Sequence, residues 1–508
     1  MTSPFAFSES LADEAATAGL MADLGLLISA GDVVTLTGDL GAGKTAAARA
    51  LIRYLSGDEA LEVPSPTFTL VQGYEAGPLA IVHADLYRIS DPDELDELGL
   101  SPLPADAVAL IEWPERAPDA LPTDRLDIAL THEPDTTGTA RNVTITGHGR
   151  SAALATRLHA LRSFLDTAEM REAVRHRMAG DASTRSYARL MSQGVSCILM
   201  NAPRRPDGPP VHGDKSYSAA VHLAEDVVPF VAIAEGLRAQ GVSAPAILHA
   251  DLDNGFLLTE DLGREPVIAG DPPEPIAERY QAATDLLADL HGRQLPQTLP
   301  VAGRADYAIP VFDLDAMLIE ISLMLDWYLP DRGRTPDEAT RGAFMAQWRD
   351  LLTPHIGPHR TWVLRDYHSP NLLWLADRAG VKRVGVIDFQ DTVLGPAAYD
   401  LVSLLQDARI DVPENLEIAM LARYVKARAG ADAGFDAPGF VATYAVMSAQ
   451  RNTRLLGTFA RLNRRDGKPQ YLRHQPRIWT YLGRSLDHPA LGGLKAWYAA
   501  QVPPPAGL

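Results

Sequence analysis

Residues 33–45 read Val33-Val34-Thr35-Leu36-Thr37-Gly38-Asp39-Leu40-Gly41-Ala42-Gly43-Lys44-Thr45. A short β-rich run leads into the pattern G-x-x-x-x-G-K-S/T, and Ala46 to Leu55, rich in helix formers, follows it. Strand, loop and helix in that order predict a P-loop. Its glycines let the backbone curl, so that the amides from Gly38, Asp39, Leu40, Gly41, Ala42 and Gly43 turn inward on phosphate oxygens. The helix adds its positive N-terminus. Lys44 is placed to reach the β- and γ-phosphates of ATP, and the Thr45 hydroxyl to ligate Mg²⁺.

Working outward, Ala80-Ile81-Val82 and Val108-Ala109-Leu110-Ile111 are two more apolar runs, each followed closely by an acid, Asp85 and Glu112. Strands alternating with helices predict a mostly parallel sheet, whose ligands bind at the carboxyl ends of the strands. Both acids are therefore expected to face the phosphates, one holding Mg²⁺ and the other orienting the attacking water. Asp91-Pro92 before Glu94-Leu95 reads as a helix start.

The chain has 508 residues, 46% of them hydrophobic and 22% charged, which is ordinary globular composition. One cysteine, Cys197, excludes a disulfide framework. No apolar run approaches the ~18 residues of a membrane span, and the first residues carry no basic n-region. A soluble, cytoplasmic protein with no membrane partner is expected. Residues 1–150 hold 24 acids and 8 bases, whereas the remainder holds 41 acids and 38 bases. This asymmetry predicts two units, and it argues against the first gripping a phosphate backbone by itself.

A second constellation lies far downstream. Trp362-Val363-Leu364-Arg365-Asp366-Tyr367-His368-Ser369-Pro370-Asn371 is followed by Val384-Gly385-Val386-Ile387-Asp388-Phe389. An Asp, an Asn five residues on, and a second Asp after a hairpin form the machinery of kinase-type phosphoryl transfer. Asp366 is expected to take the proton of the attacking hydroxyl, with Asn371 and Asp388 as Mg²⁺ ligands. Leu257-Leu258-Thr259-Glu260-Asp261-Leu262-Gly263 reads as the hinge between kinase lobes, where the backbones of Glu260 and Leu262 meet adenine. Gly180-Asp181-Ala182-Ser183 reads as the loop over the phosphates, and Glu225, before an apolar helix, as the acid of the small lobe. The strand Cys197-Ile198-Leu199-Met200-Asn201 lacks the lysine that kinases carry there. Lys215, Arg185 or Arg189 could substitute. Without a substitute, this half would be a nucleotide-binding regulatory module.

Two resemblances follow from these strings. The P-loop, then Ser65-Pro66-Thr67-Phe68-Thr69-Leu70-Val71, His83-Ala84-Asp85-Leu86-Tyr87-Arg88 and Ile111-Glu112-Trp113-Pro114, resemble the bacterial ATPase subunit of tRNA threonylcarbamoyladenosine synthesis, over roughly residues 5–150. The resemblance implies an ATPase whose partners are a threonylcarbamoyl transferase and its companion subunit, with tRNA met only through them. It also implies Mg²⁺ on Thr45 and Glu112, hydrolysis served by Asp85, and Glu14 and Thr17 near adenine. The second constellation, together with Gln450-Arg451-Asn452 through Leu456-Gly457, resembles the aminoglycoside-phosphotransferase superfamily over about residues 158–490. Within it, the sequence is most similar to anomeric kinases of N-acetylmuramate and N-acetylglucosamine, which implies an amino-sugar substrate and a role in cell-wall recycling. Another small hydroxylated substrate, of aminoglycoside or choline type, is the alternative. The fold class expected is an α/β P-loop NTPase domain, 1–150, followed by an α+β two-lobed protein-kinase-like domain, 151–508, with its small lobe at about 158–262 and its large lobe at about 263–508.

Overall fold

A computed structural model describes residues 3–77, 79–89, 106–133, 139–178, 185–205, 208–357 and 360–506. The helix start expected at Asp91 and the phosphate loop expected at Gly180 to Ser183 lie outside the described residues.

A seven-stranded sheet opens the chain. In chain order its elements are β1 (Phe5–Leu11), α1 (Glu14–Leu27), β2 (Val33–Thr37), α2 (Lys44–Ser56), β3 (Val71–Ala76), β4 (Leu79–Asp85), β5 (Ala107–Glu112), β6 (Arg125–His132) and β7 (Arg141–His148). The strand order is β1-β7-β6-β2-β5-β4-β3. β2 pairs in parallel with both β5 and β6, and β4 in parallel with β5. β7 is antiparallel to β6 and to β1. Burial explains the difference. β5 is buried at every residue and β2 at four of five, as strands covered on both faces must be. β1 alternates half-buried with exposed and closes the edge. β2 has β3, β4 and β5 on one side and β6, β7 and β1 on the other, so the loop after it leaves at the switch point of the sheet.

The chain divides into two compact units, and the division does not follow residue 150. The first comprises Met1–Pro203 with Leu248–Asp261; the second comprises Arg204–Ile247 with Leu262–Leu508. In the first unit the helix Ser151–Thr167 follows β7 directly. Its Leu161, Phe164 and Leu165 share one core with Leu26 of α1 and with Leu190, Leu199, Phe256 and Leu258 of a five-stranded sheet. That sheet contains β8 (Val174–Arg177), β9 (Ser186–Ser192), β10 (Val195–Asn201) and Phe256–Glu260. Asp23, 1% exposed, ties the same elements together with charge. It accepts from Arg175 Nε at 2.9 Å and Nη2 at 3.0 Å, and from Arg162 Nη1 at 2.7 Å.

The second unit is mainly helical. Its longest helix, Ala437–Asp466, packs against Leu314–Leu323 and the π-turn Met324–Tyr328. A Cβ on Gly457 would stand 2.4 Å from the Leu323 carbonyl carbon, which is why this helix carries glycine there. The β-rich island predicted at 362–389 is a hairpin of Leu372–Trp374 with Val384–Val386, beside Thr361–Val363 paired to Val393–Gly395. Among the described residues no helix is long and apolar enough to cross a membrane.

Candidate active sites

In the first unit, Gly38, Gly41 and Gly43 have φ of 138°, 82° and 105°, a region that favours glycine. A Cβ on Gly38 would meet the Leu130 carbonyl oxygen at 2.2 Å. Arg141 Nε donates to the Ala42 carbonyl at 2.9 Å and steadies the loop from β7. Lys44 donates to the Gly38 and Asp39 carbonyls at 2.7 and 3.0 Å and lies over the Trp113 ring, 3.5 Å from its centroid. Burial lowers its pKa, opposed by Glu112, Glu115, Asp85 and Asp39.

The two strand-end acids are direct neighbours in register, Asp85 opposite Glu112. Glu112 accepts from Thr45 Oγ1 at 2.9 Å, and its other oxygen meets His83 Nε2 at 3.0 Å. Asp85 accepts from Ser65 Oγ at 2.9 Å, Thr67 Oγ1 at 2.6 Å and the Tyr87 amide at 2.9 Å. Thr45, Ser65, Thr67, Asp85 and Glu112 line a cavity of about 420 Å³ with Gly41, Gly43 and Trp113, and His83 lies buried behind Glu112. A hydroxyl and a carboxylate in contact are hard oxygen donors suited to Mg²⁺, beside a loop whose glycines leave room for phosphates. The residues therefore fit Mg-ATP. Glu14 and Thr17 sit in the first turns of α1, outside the lining of this cavity; the Thr17 hydroxyl donates to the Asp13 carbonyl. Leu40 is 83% exposed and Phe68 82%.

His83 and Trp113 join the site without a role read from the sequence. The signal was the strand period, because His83 and Asp85 are two apart on β4 and share a face.

In the second unit the hairpin gathers the expected groups. Leu372 pairs with Val386, so Asn371 and Ile387-Asp388 leave adjacent strand ends. Ile387 N donates to the Asn371 carbonyl at 3.0 Å. The Asn371 amide reaches the Asp366 carbonyl at 3.0 Å and the Asp388 carboxylate at 3.3 Å. Its donor end is thus spent, leaving the amide oxygen and Asp388 as hard donors that fit Mg²⁺. Arg365 and Asp388 both adopt left-handed backbone, with φ of 65° and 59°. Asp400 accepts the Leu364 and Arg365 amides at 2.7 and 2.9 Å and holds the start of the loop. Asp407 accepts the Ser369 amide at 3.0 Å and holds its end.

Arginines and a histidine ring surround Asp366. Arg451 Nη2 stands 3.8 Å from its carboxylate and His368 Nε2 4.0 Å. Burial would raise the carboxyl pKa, but Arg454, Arg451, His368 and Arg365 together outweigh it and hold the group at about 2. Burial pushes His368 down to about 4, so near neutral pH its imidazole is uncharged and meets Arg409 Nη1 at 3.0 Å. Arg365 is paired with buried Glu320, which also accepts from Gln450 at 3.0 Å. Arg451 and Arg454, three apart on the long helix, were missed as site residues; only their place in the stretch from Gln450-Arg451-Asn452 through Leu456-Gly457 marked them.

Of the proposed lysine substitutes, Arg189 is engaged, its Nε and Nη2 on Asp261 at 2.6 and 3.1 Å. Lys215 is exposed, and Glu225 accepts from Ser216 and Ser218 instead of a lysine. Glu260 ends its strand opposite Cys197 in the first unit; Leu262, in the second, is buried against Gly385.

Comparison with known proteins agrees with both geometries. The family described as threonylcarbamoyl adenosine biosynthesis protein TsaE matches residues 11–143, and the phosphotransferase enzyme family matches 175–437. An N-acetylmuramate/N-acetylglucosamine kinase of Caulobacter vibrioides is 37% identical over 67% of this chain and 95% of its own length. Its counterpart in Pseudomonas aeruginosa is 35% identical over 60% of this chain and 81% of its own. A tRNA threonylcarbamoyladenosine biosynthesis protein TsaE of Rickettsia bellii is 41% identical over 20% of this chain and 68% of its own. The chain is thus a fusion that belongs to the TsaE family through its P-loop part and to the phosphotransferase enzyme family through the part that follows.

Proposed function

We propose that this chain carries two Mg-ATP enzymes of unrelated architecture. The P-loop part hydrolyses ATP for tRNA threonylcarbamoyladenosine modification, working with a threonylcarbamoyl transferase and its companion subunit and meeting tRNA only through them. The exposed Leu40 and Phe68, either side of Lys44 in sequence, offer such partners apolar contact. The phosphotransferase part moves the γ-phosphoryl group of ATP to the anomeric hydroxyl of N-acetylmuramate or N-acetylglucosamine.

The observation that carries this reading is the Asn371 amide tying the Asp366 loop to Asp388. Asp366, kept ionised by Arg451 and Arg454, accepts the hydroxyl proton while that oxygen bonds to the γ-phosphorus and the bridging oxygen leaves with ADP. Asn371 and Asp388 would hold Mg²⁺. In the P-loop part Lys44 meets the β- and γ-phosphates, Thr45 and Glu112 would hold the metal, and His83 keeps Glu112 oriented. Asp85, fixed by Ser65 and Thr67, orients water for attack. Bound Mg²⁺ neutralises charge developing on the phosphate oxygens.

Phosphorus NMR of the full chain with ATP and N-acetylmuramate tests the kinase reading, because it reports transfer and anomeric configuration together. A sugar 1-phosphate signal that vanishes in Asp366→Ala is expected. Phosphate release alone, unchanged in Asp366→Ala and absent in Lys44→Ala, would leave only the P-loop activity and refute the kinase reading.

A further inference from the structure

A second cavity of about 500 Å³ lies in the first unit, between α1, α2 and residues 171–177. Ala46 lines both this cavity and the P-loop cavity, and Glu14, which the resemblance places near adenine, lines its near end, but most of the new one lies further along α2. Arg53 is two turns beyond Ala46, about 10 Å along the helix axis. Small residues of both helices, such as Ala15, Ala18 and Ala50, leave the space open.

Three of its cations lack an acidic partner. Arg49 and Arg53 occupy successive turns of α2, and like charges at that spacing repel. Each donates Nε to a carbonyl, Arg49 to Val63 at 3.2 Å and Arg53 to Leu61 at 2.9 Å, while Arg177 donates to the Leu55 carbonyl. None of the three has a carboxylate within ion-pair distance among the described residues. The other charges of the cavity are answered: Arg175 by Asp23, Arg171 by Glu9 and Asp166, Glu59 by His176 at 3.2 Å. Glu14 and Glu172 are exposed and pair with none of the three. A second observation points the same way. Tyr54 lines the cavity at 8% exposure, and its buried hydroxyl has no hydrogen-bond partner among the described residues.

We propose that this cavity binds a phosphate monoester, with the guanidinium forks of Arg49, Arg53 and Arg177 on its phosphate and its body against the small residues of α1 and α2. Arginine forks match phosphate geometry, and the volume is that of a small-molecule site and far exceeds a bare phosphate ion. Residues 171–177 supply one wall, so the site belongs to the joined chain. The body is a sugar or a nucleoside, and the two are separated by experiment.

The test is titration calorimetry of the full chain, with its nucleotide and sugar sites saturated by MgADP and N-acetylglucosamine. The probes are N-acetylglucosamine 6-phosphate, AMP and inorganic phosphate. One monoester is expected to bind at least tenfold more tightly than inorganic phosphate, and whichever does identifies the body. Two variants are compared: the double substitution Arg53→Gln with Arg177→Gln, and Ala18→Trp, an exposed helix position that narrows the cavity. Each is expected to weaken that binding at least tenfold. If the double variant does not fold, Ala18→Trp decides. Failure of both monoesters to exceed inorganic phosphate, or retained affinity in either folded variant, would overturn the proposal.

Discussion

Asp23→Ala is the sharpest probe of how this chain is held together. The carboxylate is 1% exposed, and Arg162 and Arg175, its partners, are also buried. Removing it deletes three charge-assisted hydrogen bonds. It also leaves Arg175 without a carboxylate and Arg162 with Glu9 alone, at 3.0 Å. Stranding a buried charge by removing its partner costs about 3–5 kcal/mol. For a cooperative unit of about 200 residues that corresponds to a fall in Tm of about 6–20 °C. Asp23 belongs to α1, within the residues that match the TsaE family, whereas Arg175 belongs to β8, where the phosphotransferase family match begins, and both lie in one compact unit. The expected result is therefore that ATP hydrolysis and sugar phosphorylation lose their thermal midpoints together, measured as residual activity after heating beside a circular dichroism melt. A drop in the hydrolysis midpoint with the phosphorylation midpoint unmoved would refute the shared unit. So would a loss below about 1 kcal/mol, the size expected of an exposed ion pair.

Lys44→Ala is expected to abolish hydrolysis and spare sugar phosphorylation, and Asp366→Ala to cut phosphorylation by about 10²–10⁴-fold or more while sparing hydrolysis; separate assays on the two purified variants check this. Because Asp366 is held at about 2, it stays ionised as the pH falls and loses its charge only as pH passes through that value, so it should add no acid limb to the kcat/KM profile of phosphorylation between pH 4 and 8. Arg451→Gln should raise that pKa and bring the limb toward the range, and a wild-type limb inside it that Arg451→Gln leaves unmoved would show that the arginine does not act this way. His368 has its pKa depressed to about 4, so the folded state binds fewer protons than the unfolded state between its ordinary 6.5 and 4. Stability of the second unit should fall across that window on acidification, and His368→Gln should flatten the fall in urea titrations. Gly457→Ala gains about 1 kcal/mol of helix propensity but drives a methyl onto the Leu323 backbone, so a net loss of about 1–2 kcal/mol is expected in the same titration.

The chemistry-bearing groups were legible because each is encoded locally. Gly38 to Thr45 is one contiguous loop, and Asp366, Asn371 and Asp388 are brought together by one short hairpin. What the string could not reveal was set by distant packing. Arg451 reaches Asp366 from a helix about eighty residues downstream, and no spacing rule links the two. Lys215 was a candidate only because lysines are scarce; in the structure it is exposed and Glu225 takes two serines. Arg189 was a candidate by position, and its fork is occupied by Asp261, a pairing between strand and hinge that periodicity does not encode.

The charge asymmetry also carries a different meaning once the contacts are known. A surplus of acids before residue 150 followed by near balance reads as two independent pieces. Yet Glu9 and Asp23, from the acidic stretch, face Arg162, Arg171 and Arg175 from the residues just after it. Leu26 enters the same core as the strands of the five-stranded sheet, and Asn201 of β10 accepts from Arg157 of the helix that follows β7. An acidic P-loop fold that had to stand alone would gain nothing from burying Asp23, because an isolated buried carboxylate is costly. The burial of Asp23 is explained by Arg162 and Arg175, which come from residues beyond the TsaE match. The junction is therefore a folded interface, in which a helix of the linking region completes one domain and begins the next.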